Sequence, residues 1–213
     1  MTSVASSVVL ATTMPLWVAL ASPFTTGDPL TPRTLLGVGV AIVGAAVIGG
    51  GDGLASATVA GNMLALVSAM TNGAHRLVGR VVRERVPLLP YVAVVYPTAA
   101  VALVLAAVLT SQRMDGFVGD TYLWMVLLAL GPQVLGHSLY NWALGRLTAI
   151  TVTSGIMTEP VFSIGLASVV LRDVPTATQV AGAALVLVGV FITVRAQQAA
   201  AAQAAAVPVE QPA

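Results

Sequence analysis

Gln133, His137 and Asn141 recur every four residues inside an apolar stretch, with Tyr140 beside them, and a second apolar stretch carries Glu159 followed by Pro160. Residues four apart share one face of a helix, so the first set forms a polar stripe. Imidazole and carboxyl groups can take up and release protons, and amides and a phenol can hold a polar solute. In a segment of membrane-spanning length such ionisable groups cost about 3 kcal/mol each on insertion scales, and they usually mark a water-filled path, a proton relay or a solute site. Pro160 adds a further feature, because its missing N–H leaves a carbonyl one turn earlier available to another donor. A second, weaker stripe of Ser68, Asn72 and His75 runs through another apolar segment.

Each of these residues also has a purely structural role open to it. Glu159 can be a protonated carboxyl that locks packing. His137 can bond to a neighbouring helix, which stabilises such assemblies by up to about 2 kcal/mol. Gln133 and Asn141 can serve as interhelical hydrogen bonds, and Trp142, Trp124 and Tyr122 as anchors at the membrane interface.

The elements that would position these groups follow from composition. Hydrophobic residues make up 57% of the 213-residue chain and charged residues 8%, with a mean hydropathy of +0.93. A soluble domain of this length could not hide so much apolar surface. The net charge of +1 gives no reason to expect a nucleic-acid partner. The absence of cysteine excludes a disulfide framework and a thiolate metal site. All nine basic residues are Arg.

About seven apolar segments approach the ~20 residues that a helix needs to cross a bilayer. They are expected at residues 3–23, 35–50, 58–79, 88–110, 121–143, 149–171 and 178–194, with the second and the last short. Turn-forming links such as Thr26-Gly27-Asp28-Pro29, Gly49-Gly50-Gly51-Asp52-Gly53 and Arg83-Glu84-Arg85-Val86-Pro87 separate them. Strands are not expected, since open sheets cannot span lipid. The first segment lacks the positive start of a signal peptide and carries Pro15 in its core. After Arg195 the chain becomes Ala/Gln-rich, which predicts a frayed helix end running into a disordered tail over 196–213.

An internal repeat is the strongest organisational signal. An interval of 145 positions carries Thr13 onto Thr158, Pro15 onto Pro160, Asp28 onto Asp173, Thr31 onto Thr176, Gly37 onto Gly182 and Gly44 onto Gly189. Glycines seven apart on one helix face allow close helix contact in lipid. The first segment repeats as the sixth, and an odd number of crossings means that the copies run in opposite directions. Inverted repeats with Pro-interrupted helices at matching positions point to a secondary transporter with its site near the midplane. The competing reading is a duplicated membrane scaffold. Charge supports a common orientation, because one side collects Arg33, Arg80, Arg83, Arg85, Arg146 and Arg195, with Arg76 at a helix end, and the other only Arg113 and Arg172. By the positive-inside rule the C-terminus is cytoplasmic. Five helices per copy predicts three further helices ahead of Met1.

Gly131-Pro132-Gln133, Gly136-His137-Ser138, Tyr140-Asn141-Trp142-Ala143-Leu144 and Thr158-Glu159-Pro160-Val161, followed by Arg172-Asp173, resemble the EamA family of the drug/metabolite transporter superfamily. The resemblance covers nearly everything up to Arg195. Where the family usually has Gly-Glu this chain has Arg172-Asp173, and Gly27-Asp28 holds the corresponding place in the first copy. The resemblance implies a ten-helix protein of two inverted five-helix units, and a solute carrier of the bacterial inner membrane, commonly an exporter of metabolites or drug-like compounds. It names no solute.

Other chemistries fit poorly. Gly136-His137-Ser138-Leu139-Tyr140 lacks the closing Gly of a nucleophile elbow, the glycines at 49–53 lack the Lys-Ser/Thr of a phosphate loop, and a retinal Schiff base needs a lysine that the chain does not have. The expected protein is therefore not an enzyme, and no cofactor or metal is assigned. Its fold class is all-α, a multipass transmembrane bundle of about seven helices that forms part of an inverted five-plus-five repeat. Residues 1–53 would be the last two helices of one repeat, 54–195 a complete second repeat, and 196–213 the tail. Partners would be a small-molecule solute, the lipid bilayer and protons, with a homodimer as an open arrangement. A truncated, non-transporting fragment of the same fold is the alternative.

Overall fold

A computed structural model describes residues 10–49, 59–170, 172 and 174–206. The start of the first apolar segment, the glycine-rich link from Gly50, Asp173 of the repeat and the tail from 207 onward lie outside the described residues. The described chain forms helices α1 (Met14–Thr25), α2 (Pro32–Gly49), α3 (Val59–Arg83), α4 (Leu88–Leu109) and α5 (Gly119–Leu128). A π-helical stretch (Ala129–Gly136) follows, then α6 (His137–Leu144), α7 (Ala149–Ile156), α8 (Glu159–Val170) and α9 (Ala177–Ala206). No strand occurs among the described residues.

Five helical spans are long and apolar enough to cross a membrane: Pro32–Gly49, Leu88–Leu109, Gly119–Leu144, Ala149–Val170 and Ala177–Gln203. Large aliphatic side chains such as Leu103, Leu109, Leu123 and Leu128 stand exposed along these helices, which suits contact with lipid. Two of the seven expected segments differ. Helix α1 is apolar but short, with 12 residues. Helix α3 has 25 residues, ample length, but Asn62, Ser68, Thr71, Asn72, His75 and Arg76 lower its apolar character.

Two further departures have local causes. The expected helix over 121–143 widens into a π-helical stretch around Pro132, whose missing N–H removes one ordinary helical hydrogen bond. At the other end, α9 continues past Arg195 to Ala206, farther than the frayed helix end expected from the composition. Alanine is the best helix former, so the Ala/Gln run extends the helix, and Gln197 is 2% exposed. Its Nε2 donates to the Pro29 carbonyl and to Thr34 Oγ1, both at 3.1 Å.

The chain divides into two compact units, Met1–Val78 with Leu147–Ala213, and Gly79–Arg146. The first is built on α2 against α9. An ideal Cβ on Gly37 would lie 2.7 Å from the Gly189 carbonyl oxygen, and one on Gly189 would lie 2.6 Å from that of Gly37. Gly44 and Gly182 meet in the same reciprocal way at 2.7 Å. As the numbers rise along α2 from 37 to 44 they fall along α9 from 189 to 182, so the helices are antiparallel. Their backbones touch, which only glycine permits. Ala41, Ala45, Val186 and Met157 form a buried cluster beside this crossing.

In the second unit two arginines hold the end of a helix. The last carbonyls of a helix lack partners within it. Arg83 Nε donates to the Asn141 carbonyl at 2.9 Å and Arg80 Nη1 to the Leu144 carbonyl at 3.1 Å, both at the end of α6. Arg83 Nη1 also donates to the Val86 carbonyl, and Arg80 pairs with Glu84 at 3.2 Å. These residues therefore do more than mark a membrane edge.

Candidate functional site

Two breaks in helical chain define the site. Helix α7 ends at Ile156, Met157 and Thr158 form a turn, and α8 begins at Glu159 with Pro160 as its second residue. Residues 10 and 11 are likewise helical, Thr12 and Thr13 turn, and α1 begins at Met14 with Pro15 second. Both α1 and α8 have 12 residues, and both of their ends lie 145 positions apart.

Three bonds recur at the two breaks, and Thr13 Oγ1 also accepts from Trp17 Nε1 at 3.1 Å. Thr13 Oγ1 donates to the Leu10 carbonyl at 2.6 Å, and Thr158 Oγ1 to the Gly155 carbonyl at 2.7 Å. The backbone N–H groups of Thr13 and Thr158 donate to those same two carbonyls, each at 3.1 Å. Leu16 and Val161 then restart the helices by donating to the carbonyls of Thr13 and Thr158, at 2.9 and 3.0 Å. Neither proline can donate, so the carbonyls of Ala11 and Ile156 lose their ordinary helical partner.

Between the breaks, within the first unit, lies a cavity of about 490 Å³. Ala11, Thr12, Met14 and Pro15 line it on one side, and Ile156, Met157, Glu159 and Pro160 on the other, together with Thr153 and Ser163. Helix α3 closes it with Ser68, Ala69, Asn72 and Arg76. Each residue of the first set stands 145 positions before its counterpart in the second, so equivalent positions of two broken helices face one space. Asn72 Nδ2 donates to the Ser68 carbonyl at 3.1 Å, which leaves its Oδ1 as an acceptor. Glu159 is exposed and takes no hydrogen bond or ion pair from the described residues.

The sequence-derived candidates divide. Glu159, Pro160 and Asn72 line the cavity, whereas His75 is exposed and does not. Gln133, His137, Tyr140 and Asn141 belong to the second unit. There His137 and Tyr140 meet edge to face with ring centroids 6.1 Å apart. Asn141 is 2% exposed, its Nδ2 donates to Tyr96 Oη at 3.5 Å, and Tyr96 Oη pairs with Ser138 Oγ at 2.9 Å. Gln133 is exposed, because the π-helical stretch breaks the four-residue register that would have put it in line with Asn141. No cluster of three potential metal ligands occurs among the described residues.

Arg76 is the residue that the sequence reading missed. It is 4% exposed and lines the cavity, although its place near the end of a segment suggested a boundary charge. The signal was present, because Ser68, Asn72 and Arg76 are spaced by four. Continuing by four from Asn72 turns a helix by about 40°, whereas the step of three to His75 turns it by about 60° the other way.

The comparisons bear on the whole chain. The EamA-like transporter family matches over residues 59–195. One solved crystal structure is 23% identical with a TM-score of 0.78, over 92% of this chain and 68% of that one, and at this identity the likeness concerns fold. Comparison with curated proteins gives no match. Since the family match spans more than half of its residues, the chain belongs to the EamA-like transporter family, a family of membrane transporters rather than enzymes.

Proposed function

We propose that the chain acts as a secondary carrier that binds a small solute in the cavity between its two broken helices. The observation that carries this reading is the pairing of Ala11, Thr12, Met14 and Pro15 with Ile156, Met157, Glu159 and Pro160 around one space. Discontinuous helices at a repeat interface are how transporters present backbone groups to a solute at the midplane. Antiparallel contact of α2 with α9 supports an inverted relation between the copies.

In this reading Glu159 carries a proton or a cationic group of the solute, Asn72 offers an acceptor, and the Pro160 break frees the Ile156 carbonyl. His137, Tyr140, Asn141 and Gln133 tune the second unit, and His75 lies at the margin of the α3 stripe. The arginine distribution supports a cytoplasmic C-terminus, and a bacterial inner membrane and export as the direction are what the family resemblance implies. The test is proton movement coupled to solute flux in vesicles holding the full-length chain. Glu159→Gln is expected to abolish it, and unchanged flux with unchanged pH dependence would remove Glu159 from the site.

A further inference from the structure

The two broken helices differ at their far ends. Helix α1 runs from the Thr12–Thr13 turn into the link Thr26-Gly27-Asp28-Pro29, where Thr26 Oγ1 donates to Asp28 Oδ2 at 2.8 Å. That link is tied to a residue 168 positions away, because Gln197 Nε2 donates to the Pro29 carbonyl as well as to Thr34 Oγ1. A carbonyl can only accept, so the amide nitrogen must face it and the carboxamide has one orientation. The link after α8, the matching place in the other copy, has only local hydrogen bonds among the described residues. Its Gln179 Oε1 accepts from the Thr176 N–H at 2.8 Å, and the Gln179 N–H donates to Thr176 Oγ1 at 3.2 Å. The tie on α1 belongs to a docked surface. Thr193, Ala196, Gln197 and Ala200 are buried, whereas Gln198 and Ala199 are exposed. Intervals of three and four mark one helix face, so the end of α9 lies against the first unit along that face. The contact is not fully satisfied. Gln197 Oε1 is buried without a hydrogen-bond partner among the described residues, and so is Ser22 Oγ in the last turn of α1. Unpaired buried polar atoms oppose the closed arrangement and leave it easier to release.

We propose that the C-terminal end of α9 is a releasable strap, with Gln197 as its catch, that holds the far end of α1 and so restrains this broken helix. Helix α1 has 12 residues and acts as a short lever. At its near end the missing N–H of Pro15 interrupts the helical ladder beside the Thr12–Thr13 turn. At its far end the Pro29 carbonyl is fixed to α9. Swinging α1 about the break must therefore move the 26–29 link against α9 and break both Nε2 bonds together. Helix α8 meets no hydrogen-bonded restraint of this kind among the described residues, so α1 is the held helix and α8 the freer one. The inference concerns the motion of α1 and stands whether or not the cavity carries a solute.

The test uses the purified full-length chain in micelles. The chain has no cysteine, so single introduced thiols report without background. Ala200→Cys sits on the docked face and Ala199→Cys on the exposed one. N-ethylmaleimide should modify the thiol at 199 quickly and the thiol at 200 slowly, since the second must wait for local opening. Gln197→Met keeps the length of the side chain but donates no hydrogen bond. It should raise the rate at 200 by about 5- to 30-fold, as expected for losing one or two hydrogen bonds, and leave the rate at 199 unchanged. Val186→Cys, buried beside the glycine crossing, should stay slow in both backgrounds. Hydrogen exchange is the second readout: Gln197→Met should speed exchange across Met14–Thr25 and leave Glu159–Val170 unchanged. Equal rates at 199 and 200 in the chain with Gln197 intact overturn the docked strap, and this comparison stands even if Gln197→Met does not fold. An unchanged rate at 200 in Gln197→Met overturns the catch, and a parallel rise at 186 overturns it too, because the whole unit has then loosened. A rise at 200 with unchanged exchange across α1 overturns the restraint. None of these outcomes bears on the carrier reading, which falls separately on the flux test with Glu159→Gln.

Discussion

Replacing Gly44 by alanine tests the contact on which the first unit is built. A Cβ at that position would lie 2.6 Å from the Val186 nitrogen, 2.7 Å from the Gly182 oxygen and 2.9 Å from Leu185 Cβ. Ordinary contacts between such atoms are about 3.5–4.0 Å, so α2 and α9 must part by about 1 Å at their closest point. Two of the three obstacles are backbone and cannot rotate away. Overpacking of this kind costs about 1–3 kcal/mol, and the upper end applies here. Alanine returns about 1 kcal/mol in helix propensity, which leaves a net loss of about 2 kcal/mol. Gly39 is the internal control: it is exposed, and nothing lies within 4 Å of its Cβ position. Gly39→Ala should be neutral or gain up to about 1 kcal/mol. The assay is denaturant titration of the full-length chain in mixed micelles, followed by helical circular dichroism. Gly189→Ala should resemble Gly44→Ala, because the contact is reciprocal. If Gly44→Ala and Gly39→Ala unfolded at the same denaturant concentration, the antiparallel glycine crossing would be wrong.

Two other expectations concern the remaining parts. Arg83→Ala should destabilise the second unit by about 1–3 kcal/mol, because the carbonyls of Asn141 and Val86 lose their donor; Arg83→Lys should restore little, since an ammonium cannot reproduce the fork, and amide exchange at His137–Leu144 reads the effect. Thr158→Val should cost about 1 kcal/mol through loss of one hydroxyl bond at its break, and Thr13→Val about 2 kcal/mol because Trp17 Nε1 loses its acceptor as well, while Thr→Ser at either position should be nearly silent in the same denaturant titration.

Features set by single residue types were legible in the sequence, and features set by register were not. Pro15 and Pro160 signalled the broken helices because a missing N–H acts locally. Gly37, Gly44, Gly182 and Gly189 signalled the crossing because only glycine permits backbone contact. Proline also produced an event that was not foreseen: Pro132 turned a continuous helix into a π-helical stretch and moved Gln133 away from the Asn141 face. Whether a proline breaks a helix, as at Pro160, or widens it depends on packing that no local pattern records. The burial of Arg76 was not foreseen for a related reason. A charge near the end of an apolar run has the same composition whether it meets water or a cavity, and only its helical phase with Ser68 and Asn72 separates the two. The Ala/Gln run after Arg195 reads as low-complexity chain until Gln197 finds Thr34 and the Pro29 carbonyl.

The repeat also bears on what the cavity can discriminate. Two identical broken helices facing one space would present the same groups from both sides, and an asymmetric solute would have two equivalent orientations. The duplicated threonine bonds at 13 and 158 repeat the backbone frame on both sides, so the difference between the sides lies in their side chains. Only one of the four paired lining positions differs in charge, Met14 against Glu159. Arg76 comes from α3, outside the paired positions, and supplies the opposite sign. In the carrier reading proposed above, a solute would meet a carboxylate on the α8 side and a thioether at the matching place on the α1 side. Substituting Met14 by glutamate would erase that difference, so in the carrier reading Met14→Glu is the substitution that makes the two sides of the cavity alike in charge.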